Sequence, residues 1–322
     1  GYMKPVSTGT RLAAGVIDED AAFFKQAFGL PDALEDMAPI EIGPRVVEAI
    51  LKGEEKADFS GRLSEAYARI AKGRDVIVLE GGCNLREGYL IELPIAKVAD
   101  LLGAKEIVVV KYNSDLQVLD DALTVGEGMG ASFIGVVLNA VPRQRMPFAH
   151  EVIKPALEER GVPVLAILPR ERLLLSISVG ELAECLNGQI LCGHDQTDEL
   201  VEHLMVGAMS VDSALTYFRR KPNKAVITGG DRPDIQLAAL ETSTKCLILT
   251  GNLRPSPIIL GRAEEVGVPM ILARQDTLTA VEVIERFFGK TRFHQEKKVR
   301  RFEEMLQDRF SFDELYAALD LK

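Results

Sequence analysis

The chain of 322 residues carries 38 Lys and Arg against 48 Asp and Glu, a formal net charge of −10. That balance excludes a nucleic-acid groove, which needs a basic stripe, but not nucleotides, which a few local donors capture. At 47% hydrophobic residues the chain can build a sizeable core, and its length predicts about two domains.

Cys83, Cys185, Cys192 and Cys246 stand far apart, with no CxxC pair and no zinc-like histidine spacing. They support reduced thiols in a cytoplasmic protein. No apolar run approaches the roughly 18 residues of a membrane span, and no signal peptide is visible. The sequence opens at Gly1 almost directly on what reads as a strand end, Tyr2 to Val6, which leads us to expect residues upstream.

In chain order, Lys4 to Thr10 (KPVSTGT) is a polar, glycine-containing segment after that strand. Its lysine and hydroxyls suit a phosphate or a carboxylate, although an ordinary loop is the plainer reading. Asp18, Glu19 and Asp20 precede Ala21 to Phe24, the acidic start of an amphipathic helix that the helix dipole favours. A metal role for one of these acids is the sharper alternative. Pro44 to Lys52 and Gly61 to Lys72 are predicted helices, the second with Leu63, Tyr67 and Ile70 at helical spacing.

Asp75 to Asn84 (DVIVLEGGCN) is the stretch around which the rest is organised. Val76 to Leu79 reads as a strand buried on both faces. Glu80 stands at its carboxyl end, the edge where open α/β sheets bind ligands, and two glycines permit a sharp turn there. The residues alone leave Glu80 evenly placed between a ligand-directed carboxylate and a surface acid. Then follow a helix over Leu90 to Leu102 stopped by Gly103, a buried strand over Glu106 to Val110 and a helix over Leu116 to Met129. Phe133 to Asn139 is a strand, Glu151 to Arg160 a helix stopped by Gly161, and Val162 to Leu168 a strand. The alternation predicts an α/β fold with a doubly wound, mostly parallel sheet. Its functional loops gather at the carboxyl ends of the strands.

The pattern weakens around Gly180 to Gly193, and a smaller α/β unit follows. Its strands are read at Lys224 to Ile227, Cys246 to Thr250 and Met270 to Ala273. Its helices are read at Val211 to Arg219, Ile235 to Glu241, around Ala263 to Val266, and at Thr279 to Phe288. Phe293 to Leu321 is a charged, amphipathic helical tail whose default is to dock on its own domain. The loop Thr228 to Asp234 (TGGDRPD) offers Thr228, Gly229 and Gly230 as backbone donors at a helix start, an anion site. Capping by Asp231 and Asp234 is the larger share of that reading.

Gly289-Lys290-Thr291 imitates the end of a phosphate loop, but Ile284 stands where the first glycine is required, so it is a decoy. There is no G-x-S-x-G turn and no H-E-x-x-H helix, and His150, His194, His203 and His294 form no cluster. A histidine-centred acid–base mechanism is not expected.

KPVSTGT, the acidic helix start, VLEGG, GVVLNAVP and ILPR together resemble the dethiobiotin synthetase-like P-loop NTPase family, which includes cobyrinic acid a,c-diamide synthase. VGAMSVDSALTYF, AVITGGDRPDIQLAAL and LILTGN resemble the DRTGG domain. The pair resembles the N-terminal region of long phosphotransacetylases. The resemblance implies a P-loop NTPase-like domain over 1–185 and a smaller DRTGG domain with a helical tail over 190–322. It also implies bound ATP and Mg²⁺. Lys4 would lie near phosphate and substrate in a catalytic role, with Thr8 and Gly9 in the same segment. Asp20 (or Asp18) and Glu80 would hold Mg²⁺, and Asn139 would read the adenine. Gly229, Gly230 and Asp231 are the ligand-loop candidates of the second domain.

The family's Walker A loop, its amidotransferase nucleophile turn and the phosphotransacetylase catalytic domain have no counterpart in these residues. Acetyl transfer is therefore not expected of them. The expectation is a nucleotide-binding regulatory or sensing protein. The alternative is an ATP-dependent ligase that activates a substrate carboxylate. No nucleic-acid or membrane partner is expected. A small-molecule ligand at the DRTGG domain and a homodimer are.

Overall fold

The computed structural model describes residues 1–8, 18–82, 84–287 and 295–321. It divides into two units, Gly1–Pro169 with Arg309–Lys322, and Arg170–Asp308.

The first unit opens on one extended run that changes partner along its length. Strand β1 (Tyr2–Met3) leads into β2 (Val6–Ser7). Helix α1 (Glu19–Phe28) starts where the Asp18 carboxylate accepts from the Ala21 amide, and it closes at Gly29 with φ of 60°. Helix α2 (Leu34–Met37) leads to β3 (Ile40–Glu41), which pairs in parallel with β2. Helices α3 (Pro44–Leu51) and α4 (Phe59–Ala71) follow, the latter capped by Asp58. Strand β4 (Val78–Leu79) pairs in parallel with β1. Met3, Met37, Ile40, Leu63, Ile70 and Leu93 form the core beneath these strands.

The helix expected over Leu90 to Leu102 is broken. Tyr89–Ile91 form a 3₁₀ turn, Glu92 takes φ of 58°, and α5 (Ile95–Leu102) starts after Pro94. Proline disfavours helical backbone in the residue before it, so apolar spacing alone could not carry the helix through. Strand β5 (Glu106–Lys111), helix α6 (Asp115–Gly128) and strand β6 (Phe133–Val141) come next. A short α7 (Met146–Phe148), a π-helical turn at Ala149–Ile153 and α8 (Lys154–Glu158) replace the single helix expected over Glu151 to Arg160. Strand β7 (Val164–Pro169) completes the parallel order β5-β6-β7.

The strand Val76 to Leu79 is not buried on both faces as expected. Among the described residues only Val78 and Leu79 of this run enter a ladder, with β1 on one side, and Val78 is 60% exposed. Val109 in β5 is equally exposed.

In the second unit, β8 (Ile177–Ser178) runs into α9 (Val179–Cys185) through a capping box between Ser178 and Glu181. Strands β9 (Gln189–Cys192), β10 (Leu200–Val201) and β11 (His203–Val206) precede helix α10 (Val211–Phe218). Then β12 (Lys224–Gly229), α11 (Pro233–Leu240), β13 (Thr244–Thr250), α12 (Pro257–Val266), β14 (Met270–Leu272) and α13 (Thr277–Phe287) alternate. The sheet order is β11-β12-β13-β14-β9. Its first four strands are parallel, and β9 joins antiparallel at the edge. Apolar layers cover both faces, one around Phe218, Leu247 and Ile259, the other around Ile227, Ile248 and Ile284.

Helix α14 (Glu296–Arg309) docks on its own unit. Lys298 is buried and donates to the Ser176 carbonyl at 2.6 Å, and Arg301 pairs with Glu171. Helix α15 (Phe312–Ala318) belongs to the first unit, where the Ser311 amide donates to the Leu165 carbonyl. Among the described residues no helix is long and apolar enough to cross a membrane.

Candidate functional site

Lys4 leaves the carboxyl end of β1, its amide anchored on the Met37 carbonyl at 2.7 Å. Glu80 leaves the carboxyl end of β4, its amide anchored on the Met3 carbonyl at 2.8 Å. Parallel pairing therefore delivers a cation and an acid to one edge. The start of α1 supplies two more acids. The Lys4 Nζ lies 3.5 Å from Asp18 Oδ2, 3.5 Å from Glu80 Oε1 and in contact with Asp20.

The three acids differ in freedom. Asp18 is buried, caps α1 and accepts from the Ser7 hydroxyl at 2.5 Å. Glu80 accepts from the Tyr2 hydroxyl at 2.5 Å, and Tyr2 stacks on Phe24 with centroids 4.3 Å apart. The Asp20 side chain is 51% exposed. Burial works against the charge on Lys4, but the Asp20 hydrogen bond and the charges of Glu80 and Asp18 outweigh it and hold its pKa above the usual value. Burial raises the pKa of Glu80, against the opposing pull of the Tyr2 hydrogen bond. Tyr2 is pushed up, first by burial and then by Glu80.

With all four groups ionised, three carboxylates against one ammonium leave a local excess of two negative charges. Oxygen donors of this kind fit a hard divalent cation such as Mg²⁺. As placed, they close around the Lys4 ammonium. Among the described residues no group of three or more His, Cys, Asp and Glu is arranged to hold a metal ion.

The other expected site residues are dispersed. The Thr8 hydroxyl donates to the Glu87 carboxylate. Gly9 lies outside the described residues. Asn139 stands near the end of β6, its Oδ1 accepting from the Ala140 amide at 2.8 Å. Gly229, Gly230 and Asp231 belong to the second unit.

There the loop after β12 is tightly built. A Cβ on Gly230 would lie 1.7 Å from the Leu253 carbonyl oxygen, so the backbone approach requires glycine. Helix α11 has no side-chain cap, contrary to the capping expected of Asp231 and Asp234. Asp234 instead takes a bidentate pair with Arg232, which holds its carboxyl below the usual range. Arg232 also reaches the Met209 carbonyl at 3.0 Å, so its guanidinium is what ties the loop together.

Tyr2 escaped the sequence reading of the first site, and Ser7 entered it only as one of the hydroxyls of the Lys4 to Thr10 segment. A signal for Tyr2 was present, because residues two apart on a strand share a face and Tyr2 stands two before Lys4.

The AAA domain family matches residues 1–177 of this chain, and the DRTGG domain matches residues 181–287. The chain belongs to the AAA domain family. In this AAA-domain chain the P-loop-like domain comes first and the DRTGG domain second, the layout expected from its resemblance to the N-terminal region of long phosphotransacetylases.

A phosphate acetyltransferase of Synechocystis sp. is 30% identical over 65% of the chain and 31% of its own length. One of Nitratidesulfovibrio vulgaris is 23% identical over 92% of the chain and 44% of its own length. The chain thus spans less than half of either relative. Among solved structures it is similar to the CBS and DRTGG domains of the regulatory region of Clostridium perfringens pyrophosphatase, complexed with the activator diadenosine tetraphosphate. That likeness has 17% identity and a TM-score of 0.32, covering 47% of this chain and 71% of the other.

Proposed function

We propose that this AAA-domain chain is a regulatory or sensing module that binds ATP with Mg²⁺. The observation that carries the reading is the convergence of Lys4 with Asp18, Asp20 and Glu80 at one edge of parallel strands. Lys4 faces the phosphates. Asp20 and Glu80 hold the Mg²⁺, because Asp18 is already committed to Ser7 and to its helix cap. The resemblance assigns Thr8 and Gly9 to the phosphates together with Lys4, and Asn139 offers its amide to the adenine edge. Mg²⁺ in such a site neutralises phosphate charge. In the second unit Gly229, Gly230 and Asp231 form the loop for a small regulatory ligand. The protein works in the cytoplasm as a homodimer.

Titration of the full-length protein with MgATP tests the reading, with hydrolysis followed in parallel. Saturable binding that Glu80→Ala weakens at least tenfold, without turnover, is the expected result. Binding with turnover that depends on an amine and a carboxylate substrate would instead make the protein an ATP-dependent ligase. No binding, or binding indifferent to Glu80→Ala, overturns the nucleotide reading.

A further inference from the structure

Within the second unit, helix α9 and the segment after it wall a cavity of about 790 Å³. That volume lies in the range of small-molecule pockets. Glu181 and Glu184 of α9 line it together with His194 and Asp198, and Ile190 of β9 and Gln295 complete the wall. No lysine or arginine stands among its described lining residues. The Glu181 Oε2 is engaged by the Ser178 amide at 2.8 Å and the Ser178 hydroxyl at 2.9 Å. The side chains of Glu184 and Asp198 have neither a hydrogen bond nor an ion pair among the described residues. Lys298 feels the charge of Glu181, but its ammonium donates to the Ser176 carbonyl and it does not line the cavity. Gln295, just before α14, adds an independent observation. Its Oε1 is buried and has no donor among the described residues. An acceptor left so is costly and calls for an N–H or O–H from outside the fold.

We infer that this cavity takes a linear aliphatic polyamine, with ammonium groups at Glu184 and Asp198, an N–H donated to the Gln295 Oε1, and methylenes against Ile190. The wall offers negative charge and a buried acceptor, so it repels anions. Among the described residues no group of three or more His, Cys, Asp and Glu is arranged to hold a metal ion. Mg²⁺ demands oxygen ligands that converge at short range, whereas a chain of ammonium groups matches acids that stand apart. An amine of single charge would satisfy one acid and leave the other. A lysine-rich peptide carries the same ammonium groups, but a cavity of this size suits a small molecule. No lining residue belongs to the Lys4 cluster or to the loop after β12. Failure of MgATP binding, or of ligand binding at that loop, therefore leaves this proposal standing.

Calorimetric titration of the full chain with spermidine tests the proposal, in about 0.15 M KCl so that diffuse surface attraction is screened. The expected result is saturable one-to-one binding, tighter than that of putrescine. The double variant Glu184→Gln with Asp198→Asn should weaken it at least tenfold, and Gln295→Met several-fold. Glu241→Gln, which alters an exposed acid after α11, should leave it unchanged. Spermidine should also raise the urea midpoint of the parent more than that of Gln295→Met, a readout independent of calorimetry. Gln295→Asn withdraws the oxygen with less change in packing and serves if the methionine variant does not fold. Binding that does not saturate, or that Glu241→Gln weakens as much as the double variant does, is diffuse attraction and overturns the proposal. Displacement of spermidine by an equal concentration of Mg²⁺ overturns it in favour of a metal site. Tighter binding of pentalysine than of spermidine overturns it in favour of a peptide surface.

Discussion

Lys224 is the most exacting test of the energetics of the second unit. It opens β12 with no exposed surface, and its Nζ donates to the Thr242 hydroxyl at 2.8 Å and to the Ser243 carbonyl at 2.9 Å. Both acceptors are neutral, and burial lowers the ammonium pKa to about 8. In the unfolded chain Lys224 returns to the ordinary value of about 10.4. Between those two pH values the unfolded state binds more protons than the folded one, so stability rises with pH across that window. Below pH 8 the lysine is charged in both states and the folded state carries the full cost, about 3 kcal/mol. Lys224→Met removes that cost. It also removes the donor to the Ser243 carbonyl, a loss of about 1 kcal/mol. At pH 7 the variant should therefore be more stable than the parent by about 1–2 kcal/mol. The advantage should shrink as pH climbs from 8 toward 10. Urea unfolding followed by circular dichroism, in reductant, at several pH values between 7 and 10 measures the difference directly. A parent-minus-variant stability that stays flat with pH, or a variant less stable at pH 7, refutes the reasoning.

Glycines in the same unit provide a paired control. Gly230→Ala forces a Cβ onto the Leu253 carbonyl and should cost about 3 kcal/mol or more, read as a fall in melting temperature. Gly261→Ala in α12 meets nothing within 4 Å and should stabilise by about 0.5–1 kcal/mol. Ser178→Ala dismantles the capping box of α9 and should cost about 1 kcal/mol by denaturant titration. Tyr2→Phe keeps the stack on Phe24 but frees Glu80. MgATP affinity should fall several-fold while stability falls by about 1 kcal/mol, and unchanged affinity would count against a role for Tyr2 in positioning Glu80.

The alternation of elements was legible because each helix carries its own period and many carry their own stop, as at Gly103 and Gly161, both at positive φ. Non-local facts were not. Strand β9 is four residues long, and its antiparallel place beside β14 depends on residues some eighty positions away. The candidate site was half legible. Lys4 and Glu80 follow from strand ends, and the acids from a helix start, but their closure around one ammonium needed the register of β1 on β4. The informative disagreement lies at Val76 to Leu79. A run of four apolar residues specifies a strand with neighbours and with cover on both faces. Among the described residues the fold supplies a neighbour on one side only, and Val78 lies largely in solvent. Val109 in β5 repeats the mismatch, and in the same strand the Glu106 Oε1 is buried with no donor among the described residues. Val78 and Val109 thus lie exposed in runs whose composition encodes burial, because the cover a strand receives depends on neighbours that its own residues do not specify.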